Sequence, residues 1–329
     1  MTQAASPSAS TDDVILIPVF DDWASLALLL PQIDDSLAGD SRAASVIVVD
    51  DCSVQPPRSL AGARPFRAIE SIDVLSLTRN IGHQRALAIG LSYIAMRRPC
   101  RAVIVMDADG EDLPSDIPRL LAAFEADGAS RIVFAQRTRR SEGFVFTIFY
   151  RLYRLGHHLM TGIRVEIGNF SVVPYASLKK LAVVSEMWNH YAAAVVHARF
   201  PTTLVPTVRG TRLAGRSRMD FVSLVGHGLS AMLVFSDKIA VRMLAVTGTL
   251  VALLLLAITG IIGVRVFTGV AVPGWTIIGL CFLVLLLAQA SLLAVVFSFM
   301  VQGDRARSSF IPAREYQPFV ESFYRIWPS

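Results

Sequence analysis

Lysine, cysteine and charge are all scarce in this chain of 329 residues. Lysine occurs only at Lys179, Lys180 and Lys238, so the positive charge is carried almost entirely by arginine. Charged residues make up 17% of the chain, against about 25% in ordinary soluble domains, while 53% are hydrophobic. That balance excludes disorder and a purely cytosolic globule, so part of the chain is expected in lipid. The three cysteines, Cys52, Cys100 and Cys281, lack the C-x-x-C spacing of a structural zinc site or redox pair and imply no disulfide framework. No G-x-G-x-x-G follows the first apolar run and no G-x-x-x-x-G-K-[ST] occurs, which removes the main support for a dinucleotide fold or a P-loop. Residues 1–12 are Ser/Ala-rich without a basic n-region or apolar h-region, so they read as a disordered tail and no signal peptide is visible. The net charge of +5 favours phosphates or anionic lipid as partners, and no nucleic-acid partner is expected.

The apolar excess lies near the C-terminus. Residues 243–264 are an uncharged run, and a second runs from Val266 to Val301, broken by Pro273-Gly274 and holding Gln289 as its one strongly polar deep residue. At about 1.5 Å per residue, 22 residues of helix span about 33 Å, enough to cross a hydrocarbon core of about 30 Å. A transmembrane hairpin is therefore expected over 239–302, with Arg265 and a turn at 266–274 between its arms. Lys238 and Arg242 precede it and Arg305, Arg307 and Arg314 follow, against Arg265 alone in the turn. The positive-inside bias then makes this a multi-pass protein of the inner (plasma) membrane with both termini cytoplasmic. Residues 303–329 become a cytosolic tail, whose aromatic stretch 311–327 either packs back on the cytosolic domain or lies at the membrane interface.

Before the hairpin, short Val/Ile/Leu runs at 14–20, 45–52, 74–78, 102–107 and 131–135 alternate with helix-like segments at 23–37, 83–97 and 115–126. Runs buried on both faces belong to parallel sheets, and the βαβα order predicts a doubly wound α/β domain over 13–220. Ligands of such sheets bind beyond the carboxyl ends of the strands. The residues there are Asp21-Asp22, Asp50-Asp51, Arg79-Asn80, Asp107-Ala108-Asp109 and Arg137, a set suited to a metal-bound, phosphate-bearing ligand. In an extended chain, i, i+2 spacing places Asp107, Asp109 and Glu111 on a common side as hard oxygen ligands for Mg²⁺ or Mn²⁺. The alternative is a solvated acidic turn with Asp112 or Ser115 as helix caps.

Read together, Ile17-Pro18-Val19-Phe20-Asp21-Asp22, Val48-Val49-Asp50-Asp51-Cys52-Ser53, Thr78-Arg79-Asn80-Ile81-Gly82-His83, Met106-Asp107-Ala108-Asp109-Gly110-Glu111-Asp112-Leu113-Pro114 and Ala135-Gln136-Arg137-Thr138-Arg139-Arg140 resemble glycosyltransferase family 2 in order and spacing. With two C-terminal membrane helices, the chain is most similar to the polyisoprenyl-phosphate glycosyltransferase branch, relatives of dolichol-phosphate mannose synthase and bactoprenol glucosyltransferases. The resemblance implies a GT-A type, mainly parallel sheet and an inverting, metal-dependent hexosyl transfer from a nucleotide-sugar donor. It places donor binding at Pro18, Val19, Phe20, Asp22, Asp50, Asp51, Asn80, Asp107 and Asp109, and catalysis at Asp109 and Arg137. It places the acceptor phosphate at Arg137, Arg140, Arg212, Arg216, Ser217 and Arg218. Glu111 stands where the family often has a glutamine metal ligand, Cys52 where glycine is typical, and Asn169 in Gly168-Asn169-Phe170-Ser171 where a carboxylate is usual.

A lipid phosphate, whose second pKa is about 6, is largely anionic at neutral pH and needs arginines to orient it. A hydroxyl acceptor needs a general base, for which Glu186 and His190 are the candidates beside the plainer reading of a helix with packed aromatics. Residues 144–160 form a basic, aromatic-rich amphipathic stretch that suits either a membrane interface or packing on the sheet, and 221–237 reads as a juxtamembrane helix. The expected function is a membrane-anchored transferase moving one sugar to a polyprenyl phosphate at the cytoplasmic face. Transfer to another lipid or membrane-associated hydroxyl, and a catalytically silent sugar-nucleotide-binding scaffold, are the alternatives. Membrane lipid is an expected partner and a homo-oligomer is compatible with the hairpin.

Overall fold

The computed structural model describes residues 12–54, 65–137, 156, 158–162, 167–215, 221–269, 273–306 and 310–328. They fall into two compact units, one within Met1–Thr147, Glu166–Val234 and Phe310–Ser329, the other within Ile148–Val165 and Phe235–Ser309.

The first unit is built on one eight-stranded sheet. Its strands are β1 (Asp13–Val19), β2 (Ala44–Asp50), β3 (Ile69–Leu77), β4 (Ala102–Val105), β5 (Ile132–Arg137), β6 (Ser171–Pro174), β7 (Thr202–Thr207) and β8 (Val320–Trp327), in the order β7-β5-β6-β4-β1-β2-β3-β8. The pairs β1–β2, β2–β3, β1–β4 and β5–β7 are parallel, and β4–β6, β5–β6 and β3–β8 are antiparallel. Every residue of β1 and β2 is buried, because helices cover both faces and leave no solvated side to alternate with. Val14 and Leu16 pack toward α2 (His83–Arg97), whereas Ile15, Ile17 and Val19 face α1 (Trp23–Gly39) and α3 (Ile117–Ala126). The chain winds from β1 through β2 to β3 and then crosses to β4 on the other side of β1. That reversal leaves a crevice beyond the carboxyl ends of β1 and β4, where a doubly wound sheet offers a ligand site.

Two strands of this sheet are antiparallel insertions that the βαβα reading does not contain. β6 follows the segment 138–166 and inserts between β4 and β5, then leads into α4 (Tyr175–Leu181), α5 (Tyr191–His197) and β7. β8 comes from the C-terminal tail. Sequence alone leaves 311–327 undecided between domain and interface, and the structure makes 320–327 the edge strand against β3. Asp73 is the reason for that register: it is 1% exposed within β3, and Arg325 on β8 donates to it at 2.8 and 3.3 Å. Aromatic packing secures the same tail, with Phe66 edge-on to Trp327 at 5.1 Å and Tyr93 against Phe323 at 4.9 Å.

The second unit contains α7 (Ser236–Thr268) and α8 (Gly274–Ala306), preceded in the chain by α6 (Phe221–Leu233) of the first unit. Both long helices are apolar and long enough to cross a membrane, over Ser236–Thr268 and Thr276–Gly303, and they pack against each other as a hairpin. The turn is shorter than the 266–274 expected, since Arg265 through Thr268 stay helical and Gly269, at φ 69°, ends α7. A glycine tolerates that left-handed backbone without steric cost, and the Arg265 side chain bends over the helix end to donate to the Gly269 carbonyl at 3.0 Å. Five hydroxyls within the hairpin are satisfied internally: Thr249, Thr259, Thr268, Ser291 and Ser298 each donate to the carbonyl four residues earlier. Of the amphipathic stretch 144–160, only 156 and 158–160 are described, as helix; the rest lies outside the described residues. There Arg242 donates to the carbonyls of His158 and Leu159, at 3.3 and 2.7 Å, and closes that helix end.

The Asp73–Arg325 pair yields a prediction. Replacing Arg325 by Ala leaves Asp73 buried with only the Ser71 hydroxyl, and is expected to cost about 1–2 kcal/mol, less than a fully buried pair because the arginine is half exposed. Thermal unfolding should show the loss, and removal of 320–329 should add aggregation by uncovering the β3 edge. Unchanged Tm in both variants would show that β8 is not a stabilising strand.

Candidate active site at the switch point of the sheet

Three strand ends converge here. The β1 and β2 ends carry Asp21 at φ 47° and Cys52 at φ 60°, left-handed conformations that non-glycine residues rarely adopt. Cys52 thus holds the backbone shape a glycine would favour at the same point. Asp21 Oδ1 accepts from Val54 N–H at 2.7 Å and Asp21 N–H donates to Ser53 Oγ at 2.8 Å, tying the two loops together, while Asp50 Oδ1 accepts from Ser53 N–H at 3.0 Å within the second. Asp51 is 2% exposed and accepts from the N–H groups of Ile81 and Gly82 at 2.8 and 2.9 Å, so it fixes the start of α2. Burial raises its pKa against those two bonds. Pro18 and Val19 are buried in β1, while Phe20 is 38% exposed and Asn80 is exposed at the rim.

β4 ends at Val105, and the acidic stretch after it is a turn, not a continuation of the strand. Asp109 Oδ1 accepts from Glu111 N–H at 2.9 Å, and Gly110 takes φ 84°. The expected i, i+2 alignment of Asp107, Asp109 and Glu111 therefore does not form, because the turn rotates each carboxylate toward a different cation. Asp107 faces His83, with Oδ1 3.3 Å from Nε2. Asp109 faces Arg212 at 3.2 Å, and Arg212 also grips Asp22. Glu111 receives Arg209 in two parallel bonds of 2.9 and 2.7 Å. Among the described residues no group of three His, Cys, Asp or Glu side chains gathers as a metal cluster. In this structure the three carboxylates expected to share a metal stand in separate ion pairs.

Two residues that matter here are ones sequence reading passes over. Asp112, considered only as a helix cap, is buried; its Oδ1 accepts from Arg137 at 2.9 Å and its Oδ2 from Asp107 N–H at 3.1 Å. Arg209 lies in the same basic stretch as Arg212 and pairs with Glu111, a partnership that nothing in the sequence signals. Both arginines belong to a loop stapled on the acidic turn, with Gly210 N–H donating to the Glu111 carbonyl at 2.8 Å and Leu213 N–H to the Asp109 carbonyl at 2.9 Å. Glycine is required at 210, since a Cβ there would sit 2.4 Å from the Gly110 carbonyl oxygen.

Charge state follows from this crowding. Burial opposes ionisation of Asp107, but the neighbouring His83 and Arg137 outweigh it and hold its pKa below the usual range. Asp112 goes the other way: burial, reinforced by the negative charge of Asp107, raises it to about 7 against the pull of Arg137. Asp109 is also raised, chiefly by burial. For His83, partial withdrawal from water is overcome by Asp107, Asp109 and Asp112, which raise its pKa. These groups share protons and titrate as a set.

Hydrogen-bond order around Asn169 bears on whether a cation suits this site. Tyr191 N–H is an obligate donor and bonds Gln84 Oε1 at 2.9 Å, which turns the Gln84 amide nitrogen toward Asn169 Oδ1 at 3.2 Å. Asn169 Nδ2 then faces His83 Nε2 at 2.9 Å, asking that nitrogen to be bare, while the surrounding acids ask it to carry a proton. Asp107 Oδ1 meanwhile is buried without a hydrogen bond of good geometry. An orphaned carboxylate oxygen beside Asp109, in a set of hard oxygen donors, fits a divalent cation held by two carboxylates and by ligand oxygens.

The other expected site residues are distributed as follows. Arg140, Arg216, Ser217 and Arg218 lie outside the described residues. His190 begins α5, where its Nδ1 accepts from Ala193 N–H at 3.4 Å, and Glu186 lies 3.7 Å from His197 and accepts from Ser185 at 3.1 Å. These contacts give both candidate bases local roles at helix ends.

The chain belongs to glycosyltransferase family 2, whose model (Glycosyl transferase family 2) matches residues 14–181. It is similar to the uncharacterized glycosyltransferase YkcC of Bacillus subtilis (strain 168), 23% identical over 274 residues and 80% of each chain. It is similar also to the undecaprenyl-phosphate 4-deoxy-4-formamido-L-arabinose transferase of Klebsiella pneumoniae subsp. pneumoniae, 24% identical over 247 residues, 73% of this chain and 72% of the relative. Among solved structures, glucosyl-3-phosphoglycerate synthase from Mycobacterium tuberculosis with Mn²⁺, UDP-glucose and phosphoglyceric acid has a TM-score of 0.46 at 16% identity, over 70% of this chain and 80% of that one. The protein is therefore a glycosyltransferase with polyprenyl-phosphate sugar transferases among its relatives.

The raised pKa of Asp112 has a stability consequence. Its folded-state value of about 7 exceeds an unfolded value of about 3.9, so between those limits the folded protein keeps a proton that the unfolded chain has released. The stabilisation from this group is full below pH 4 and is lost as pH rises through 7. In thermal unfolding from pH 4 to 8, Asp112→Asn is expected to remove that part of the decline in Tm. Parallel curves for the two proteins would show Asp112 ionised throughout against Arg137.

Proposed function

We propose that the protein is a membrane-anchored transferase that moves one sugar from a nucleotide-sugar donor to a polyprenyl phosphate at the cytoplasmic face. The observation that carries this reading is the alternation of acids and arginines beyond β1 and β4: Asp22, Asp107, Asp109 and Asp112 with Arg137 and Arg212. Acids alone would suit a cation and arginines alone an anion, whereas the mixed set suits a cation-bound diphosphate beside a second phosphate. The lipid acceptor is supported by the likeness to undecaprenyl-phosphate transferases.

Asp22, Asp50 and Asn80 at the rim would bind the nucleoside side of the donor, with Pro18, Val19 and Asp51 shaping its floor. Arg212, now held on Asp22 and Asp109, carries a guanidinium that would orient donor phosphate. Arg137 would remain charged beside Asp112 and Glu111 and face the leaving group or the acceptor phosphate. A bound Mg²⁺ or Mn²⁺ would be held by Asp107 and Asp109 and would offset the negative charge developing on the leaving diphosphate. A phosphate acceptor is already anionic, so no general base is required of Glu186 or His190.

Connectivity supports this orientation. Strands β1 to β7 precede the hairpin and β8 follows it in the same sheet, which favours both hairpin ends lying on one side of the bilayer. Lys238, Arg242, Arg305, Arg307 and Arg314 near those ends, against Arg265 at the turn, favour the cytoplasmic side.

Purified protein in liposomes, given labelled nucleotide sugars with and without polyprenyl phosphate, is expected to form a lipid product stable to alkali and labile to mild acid. Asp109→Ala should lower the rate about 100-fold or more, as should removal of divalent cations by chelation. An alkali- and mild-acid-stable product would point to a glycosylated hydroxyl instead, and transfer undiminished in Asp109→Ala would overturn the assignment of the site.

A further inference from the structure

Gln289 stands halfway between Thr276 and Gly303, about 20 Å of helix from either end of the span. Its side chain is exposed and has no hydrogen-bond partner among the described residues. The side of α8 turned to α7 is marked by Leu280, Leu287, Ser291, Ala294 and Ser298, which are buried or half-buried. At about 100° per residue Gln289 lies on the opposite side, so α7 does not reach it. In hydrocarbon an unpaired carboxamide is costly, with no water to satisfy it.

Around Gln289, and with it, Ile278, Phe282, Leu285, Leu292, Val296 and Phe299 follow alternating spacings of four and three and are 46–73% exposed, so Gln289 is the one polar side chain at the centre of an exposed apolar face. That spacing is compatible with a coiled-coil seam, in which a single central polar residue sets register and partner number. We propose that α8 self-associates in the membrane: a second copy of this chain packs the same seam in parallel, and the two Gln289 carboxamides hydrogen-bond to each other at mid-depth. A second copy is the occupant because both chains insert with the same topology and so bring Gln289 to one depth. The amide is both donor and acceptor, so two copies satisfy each other reciprocally, as a two-fold interface requires.

The inference rests on α8 crossing a bilayer and is independent of the sugar chemistry. Full-length protein labelled with donor or acceptor fluorophores and reconstituted in liposomes is expected to show energy transfer that falls as lipid dilutes the protein. Gln289→Leu should weaken association about 3- to 20-fold while leaving sugar transfer intact, and Gln289→Asn should retain most of it. In a Cys281→Ser background, Gln289→Cys should give a disulfide-linked dimer on mild oxidation. Monomers at every dilution, or Gln289→Leu associating like the wild type, would overturn the proposal. Alkaline carbonate extraction of the same liposomes separates the failures: release of the protein overturns the membrane reading and this proposal with it, whereas retention of a monomer overturns this proposal alone.

Discussion

Negative charge crowded at the end of a buried strand must be neutralised, and that constraint organises the molecule around β4. Asp107, Asp109, Glu111 and Asp112 lie within one turn, Asp112 buried and the other three partly so, where an unpaired carboxylate would be costly. His83 at the start of α2, Arg137 at the end of β5, and Arg209 and Arg212 after β7 each supply one positive partner. Segments far apart in the chain are thereby drawn to one point. Under the proposed function, groups that balance internal acids would also balance a diphosphate.

The acidic turn also explains the loop that follows β7. Its backbone binds the turn through Gly210 and Leu213, and its arginines cap the carboxylates. The Gln84–Asn169–His83 chain orients groups before any ligand is present. An asparagine at 169 transmits hydrogen-bond direction without adding another negative charge beside Asp107.

Much of the fold is legible in the residues themselves. The Val/Ile/Leu runs become β1 to β5 with ends displaced by a few residues, and the helix over 83–97 appears as read. Pro114 opens a short 3-10 turn ahead of α3, as expected of proline at a helix start. β6, β7 and β8 were not foreseen. β6 has only four residues, and the run at 320–327 is aromatic and edge-exposed, a pattern that suits a membrane interface equally well. Its choice of the sheet depends on Asp73, whose buried charge gives no sign in sequence of needing Arg325, 252 residues away.

At the site, chemistry could be read but pairing could not. The residue types after each strand mark a phosphate- and cation-handling rim because strand ends in a parallel sheet all open to the same crevice, and local order along the chain determines which residues stand there. Which carboxylate faces which cation was decided by the turn at 107–112 and by the loop from 208 to 215, through contacts between segments remote in sequence. The membrane hairpin follows the same division. Hydrophobic length by itself specified two helices long and apolar enough to span a membrane, since apolar length is a property of the segment; the facing of Gln289 away from α7 emerged only when two helices packed, because packing selects a face and composition does not.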